Sequence, residues 1–230
     1  MLVSALRSRL RRIPVTFHWS LALFPMLLIG LDAVGAREVR GVGQEAIFAV
    51  MIFASILLHE LGHAVGASFV GIRTREVALH LLGGHVRLAR HPQGGREELI
   101  IALAGPAVNI AIAMLLLGLR FSGAIPSDSM ASELAVLNLA LALFNLLPLF
   151  PLDGGRVLRA VLSFGMSHLG ATTLAASCGV VLAAGLMVLS IDMGAPVVGL
   201  IALFLAFGSY VEGKAAVQAV TAAKAARRRG

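Results

Sequence analysis

The chain has 230 residues, of which 58% are hydrophobic and only 13% charged, where a soluble domain carries about 25% charged residues. That balance excludes an ordinary soluble fold and predicts a protein embedded in a bilayer. Its net charge of +7 calls for no nucleic acid, because a basic face against anionic lipid accounts for it. The one cysteine, Cys178, excludes an internal disulfide and a cysteine zinc site, so the histidines and acids are the available metal ligands.

Apolar runs able to cross about 30 Å of hydrocarbon lie near residues 15–34, 46–70, 99–119, 133–150, 172–191 and 195–212. They predict an all-α polytopic membrane protein of about six transmembrane helices, organised as a single domain over 1–230. The first run is long, contains Pro25 and lacks a small-residue cleavage pattern, so it reads as a retained span and not a signal peptide. His18 and Trp19 stand there where interfacial anchors belong.

The second run contains His59-Glu60-Leu61-Gly62-His63. On a helix, positions i and i+4 share one face, so two imidazoles can hold one zinc and the intervening glutamate can reach a metal-activated water. The alternative is a hydrogen-bonded polar cluster. Ionisable groups inside an apolar span are costly, which favours the functional reading.

Between the second and third runs the pattern changes period. Val77, Leu79 and Leu81 alternate with Ala78, His80 and Leu82, Gly83-Gly84 reads as a turn, and Val86 and Leu88 resume the alternation. This predicts a short β-hairpin. His80, His85 and His91 are read as solvated side chains of a basic loop, with a ligand role as the alternative.

The fourth run ends in Asn145-Leu146-Leu147-Pro148-Leu149-Phe150-Pro151-Leu152-Asp153-Gly154-Gly155. Two prolines must break the helix, and irregular backbone at this depth needs protein or a water-filled cavity around it. A catalytic zinc needs a third protein ligand and an open fourth position. Asp153 is a candidate for the first need, and the competing reading is a carboxylate that caps a helix at the interface. Asn145 could equally make a helix-to-helix hydrogen bond.

The basic residues fall in blocks. With a cytoplasmic N-terminus, that side receives Arg7 to Arg12, Arg73 to Arg96, Arg156 and Arg159, and the tail from Lys214 to Arg229. Only Arg37, Arg40 and Arg120 of the nineteen fall on the other side. The positive-inside rule then puts both termini, and the HExxH end of the second span, at the cytoplasm. The tail, 213–230, reads as a basic helix on the membrane surface.

HELGH in one span, NLLPLFPLDGG in another and Ala104-Gly105-Pro106-Ala107-Val108-Asn109 between them together resemble the site-2 protease family of intramembrane zinc metalloproteases. The resemblance covers about residues 45–165. It implies that His59, His63 and Asp153 ligate one zinc ion, that Glu60 is the general base, and that Asn145 assists the oxyanion or orients substrate. It further implies a small membrane-associated sheet near the site and a transmembrane protein as substrate, and the expected location is a prokaryotic inner membrane. The expected function is zinc-dependent hydrolysis of a peptide bond in or near a transmembrane segment. A metal-binding scaffold or transporter without proteolysis is the alternative, against which an intact Glu60 argues.

Overall fold

The computed structural model describes residues 13–23, 41–80 and 83–227. Its elements in chain order are β1 (Val15–Phe17), a short 3-10 turn (Trp19–Ala22), α1 (Val42–Phe69), β2 (Thr74–His80), β3 (Gly83–Leu88), α2 (Gly95–Phe121), α3 (Met130–Asn145), α4 (Asp153–Leu162), α5 (His168–Asp192) and α6 (Pro196–Arg227). The protein is mainly helical with one small sheet, as the sequence predicts.

Among the described residues, four helical stretches are long and apolar enough to cross a membrane: Gly43–Phe69, Gly95–Phe121, His168–Asp192 and Pro196–Ala222. They coincide with four of the expected spans. The fourth run, 133–150, is realised as the 16-residue α3, which at 1.5 Å per residue reaches only about 24 Å. Helix α3 stops at Asn145 because Pro148 and Pro151 cannot sustain it. The remaining run, 15–34, opens with strand β1 and not with helix, and its stretch beyond residue 23 lies outside the described residues.

The chain divides into two compact units, one formed by Met1–His91 with Ala104–Ala142, the other by Pro92–Leu103 with Leu143–Gly230. In the first, the strand order is β1-β2-β3. Strand β1 runs parallel to β2, pairing Val15 with Val77 and Phe17 with Leu79, and β3 runs antiparallel to β2, pairing Ala78 with His85 and Leu79 with Gly84. Val77, Ala78 and Leu79 are consecutive and all buried, so this middle strand is covered on both faces and lacks the one-sided alternation of a free hairpin. Gly83 and Gly84 lie inside β3, opposite His80 and Leu79, and do not form the turn expected of them. The helical core of this unit packs Phe48 and Ile52 of α1 on Leu134 of α3, flanked by Leu116 and Leu137.

In the second unit α5 and α6 pack through small side chains. Ala175, Ala176, Ala183 and Ala202 are buried, and a methyl group on Gly179 would meet Ser209 Oγ at 2.4 Å. Close backbone approach of this kind is how helices associate where lipid removes the usual hydrophobic drive. The outer faces keep Val181, Val188, Leu200, Phe204 and Phe207 exposed, as a hydrocarbon solvent requires. Helix α6 continues unbroken through the basic tail to Arg227, so the tail leaves in line with the last span.

Candidate metal centre

Helix α1 carries the HExxH residues in its last third, where one turn separates His59 from His63. His59, Glu60 and His63 are all buried. The two Nε2 atoms lie 3.1 Å apart, and the rings meet edge to face. Two unprotonated ring nitrogens at that separation repel one another unless a cation or a proton lies between them. A zinc ion about 2.0–2.1 Å from each would subtend an angle of about 100°, close to tetrahedral. The donors therefore fit zinc in chemistry and in spacing.

Helix α2 makes room for this pair. A methyl group on Gly105 would meet His63 Nε2 at 2.4 Å and His59 Nε2 at 2.8 Å, and one on Gly62 would meet the Ala104 carbonyl oxygen at 2.6 Å. Glycine at both positions lets the two backbones approach, as expected for packed spans. Gly105 does more than allow packing, since it is the floor beneath both imidazoles. One turn further on, Asn109 is fully buried and its Oδ1 accepts a hydrogen bond from His59 Nδ1 at 2.5 Å. That bond fixes the tautomer in which Nε2 is unprotonated and able to ligate.

Strand β3 closes on the same helix. A methyl group on Gly84 would come within 2.4 Å of Glu60 Cγ and 2.8 Å of its Oε1, so bare backbone of a sheet edge lies directly against the carboxylate.

The second unit holds the other two expected site residues. Asn145 is the last residue of α3 and is half-buried, while Asp153 is the first residue of α4 and is buried. The local fold is set by the two glycines. A methyl group on Gly154 would meet the Leu147 carbonyl oxygen at 2.2 Å, and one on Gly155 the Phe150 nitrogen at 2.9 Å. The broken segment thus lies flat on the first turn of α4. Its freed backbone is satisfied in part by Ser209 Oγ, which accepts from the Phe150 amide at 3.2 Å and donates to the Phe150 carbonyl at 3.3 Å. Arg156 Nη1 lies 3.6 Å from Asp153 Oδ1.

Helix α4 is held further along by Arg159, which bonds Glu98 Oε1 through Nε at 2.9 Å, pairs with Glu212 and lies over the Phe150 ring. Burial lowers the Arg159 pKa, but the hydrogen bonds and charges of Glu98 and Glu212 outweigh it and hold the guanidinium above its ordinary value.

Of the three histidines read as loop residues, His80 lies in β2 and His85 in β3. His80 and His85 stack with nearly parallel rings, and His18 joins them at a centroid distance of 5.3 Å. His91 is exposed. Among the described residues none of these belongs to a set of three converging ligands. Asn138 and Ser55, which extend the polar contact of Asn109, belong to no motif in the sequence; each is a polar side chain buried in an apolar helix.

The model of peptidase family M50 matches residues 47–125 and 123–189. The chain belongs to that family, the one containing the site-2 proteases. It is 34% identical over 204 residues to a zinc metalloprotease of Methanocaldococcus jannaschii, covering 88% of this chain and 58% of that protein. It is 42% identical over 154 residues to a putative zinc metalloprotease, Rip3, of Mycobacterium tuberculosis, covering 64% of this chain and 37% of that one. The chain thus spans about half the length of the curated relatives it matches. The solved structure of the site-2 protease from Methanocaldococcus jannaschii superposes with a TM-score of 0.65 at 33% identity, over 87% of this chain and 91% of that one. This M50 chain is a multi-pass integral membrane protein.

Proposed function

We propose that this M50 chain is an intramembrane zinc metalloendopeptidase that hydrolyses a peptide bond in or near a transmembrane segment of another membrane protein. The observation that carries the reading is the pair of buried Nε2 atoms 3.1 Å apart, next to a buried glutamate, on a helix long and apolar enough to span a bilayer. His59, His63 and Asp153 are the proposed ligands of one zinc ion, and 1–230 is proposed to act as one metalloprotease domain.

Bound zinc supplies a Lewis acid for the scissile carbonyl and brings the pKa of a water to about 7. The protein's own groups do the rest. Glu60 takes the proton of the attacking water and passes it to the departing amine. Asn145 donates from its amide to the developing oxyanion or holds the substrate backbone. Gly84 supports a further element: its backbone lies against Glu60 on β3, the last strand in the order β1-β2-β3. An unwound substrate segment added to the outer edge of β3 would be bound through its main chain beside the base.

The charge asymmetry supports cytoplasmic termini and a site open to the cytoplasm, and the prokaryotic sources of the relatives support an inner membrane of such a cell. With Cys178 replaced, a cysteine at Ser127 is expected to react with an impermeant thiol reagent in intact cells and one at Gln93 only after permeabilisation; the reverse pattern inverts the orientation. The function itself is tested by incubating purified protein with a panel of single-span substrates. Cleavage that chelation abolishes and zinc restores is expected, and chelator-insensitive cleavage or none defeats the proposal.

A further inference from the structure

We infer that Asn109, Asn138 and Ser55 form a directional hydrogen-bond relay that locks His59 in its metal-ligating tautomer, with Asn138 and Ser55 acting as positioning residues. The inference rests on the reading of His59 as a zinc ligand. The three side chains are buried and link α1, α2 and α3 within one unit. Ser55 Oγ donates to the Met51 carbonyl at 3.1 Å. Asn138 Nδ2 donates to Ser55 Oγ at 3.0 Å and to the Leu134 carbonyl at 2.9 Å. Asn109 Nδ2 donates to Asn138 Oδ1 at 2.8 Å, and His59 Nδ1 to Asn109 Oδ1 at 2.5 Å.

The direction is not arbitrary. A side-chain amide can be turned over, exchanging its oxygen for its NH2, and a turned Asn109 would offer His59 a donor and drive the proton to Nε2, where it blocks ligation. Backbone carbonyls only accept. The Leu134 and Met51 oxygens therefore fix which end of Asn138 faces them, directly and through the Ser55 hydroxyl. Asn138 then presents its oxygen to Asn109, and Asn109 in turn presents its oxygen to His59. The polarity of two helix carbonyls is carried through three side chains to the imidazole. Ser55 precedes His59 by one turn, so α1 orients its own ligand by way of two other helices.

A carboxylate has no wrong end, which gives the test. Zinc affinity of the full chain is measured by competition with a chelator, and the tautomer of His59 by its ring 15N shifts in metal-stripped protein. Asn138→Leu should weaken zinc about 10-fold and Asn109→Leu about 10- to 100-fold, the range for groups that orient a ligand. Asn109→Asp should bind zinc and make Asn138→Leu nearly silent, restoring affinity to within about threefold of the parent. Should Asn138→Leu not fold, Ser55→Ala removes one of the two acceptors that orient Asn138. It should cost about threefold with Asn109 and nothing with Asp there. Unchanged affinity in Asn138→Leu overturns the relay, and so does an equal loss in the Asn109→Asp background, since that is what a packing role alone would give. If wild type takes up no zinc, the ligand reading fails. The relay is then still decided by the His59 spectrum: a shift toward Nε2–H in Asn138→Leu supports it, and an unchanged tautomer overturns it.

Discussion

Gly84 of β3 and Glu60 of α1 are in such close contact that a methyl group on the glycine would fall 2.4 Å from Glu60 Cγ and 2.7 Å from its Cδ. A strand edge and the proposed general base therefore share one space, and no residue larger than glycine leaves the carboxylate where it is.

Gly84→Ala should displace the Glu60 carboxylate without touching the imidazoles. A misplacement on the order of 1 Å costs about 10²-fold in rate, so turnover should fall by about that factor while zinc content stays at the parental level. Single-turnover cleavage alongside metal analysis checks this. Parental turnover in Gly84→Ala would mean that Glu60 has slack the close contact denies.

Asp153→Ala should lower both zinc occupancy and activity, because a metal left with two protein ligands is short of the three that a catalytic zinc site supplies. Asp192→Ala, at the exposed end of α5, should change neither. A chelator competition on the two variants separates them, and zinc affinity at the wild-type value in Asp153→Ala would remove this residue from the ligand set.

Strand addition makes a positional prediction. Strand β2 is hydrogen-bonded on both sides, so proline there would damage the sheet itself. Proline along β3 from His85 to Leu88 should depress cleavage at the alternate positions whose N–H faces the outer edge, with fold and zinc content retained, whereas at the positions paired with β2 it breaks the ladder itself. Substrates carrying glycine near the scissile bond should be cut faster than uniformly Leu-rich ones, since less helix must be undone. Unchanged cleavage with proline at the outward-facing positions, or equal cleavage of the two substrate types, would rule out this binding mode.

What the sequence made legible followed from local periodicity. The HExxH face needs only a helix, and the break after Asn145 needs only Pro148 and Pro151, so both are found where expected. Strand β1 was not legible: Val15-Thr16-Phe17 is three residues long and its partner, Val77 to Leu79, lies about sixty positions away, a separation that leaves no local trace. The Gly83-Gly84 pair read as a turn because two glycines usually make one. Here the second is glycine because Glu60 occupies the space a side chain would need. Asn109 could be seen as part of a motif, but its task depends on Asn138 and Ser55, polar residues whose only trace in the sequence is their presence in apolar helices.

The central claim is that one glutamate activates water at a zinc held by its neighbours, and Glu60→Gln isolates that step. The amide keeps the shape and leaves His59 and His63 untouched, while removing the base. Purified wild type and Glu60→Gln should be loaded with zinc, their metal content measured, and both incubated with the same single-span substrate. The account predicts equal zinc in the two proteins and a loss of cleavage of about 10²- to 10⁴-fold in the variant. A Glu60→Gln protein that binds zinc and cleaves at the wild-type rate would contradict it.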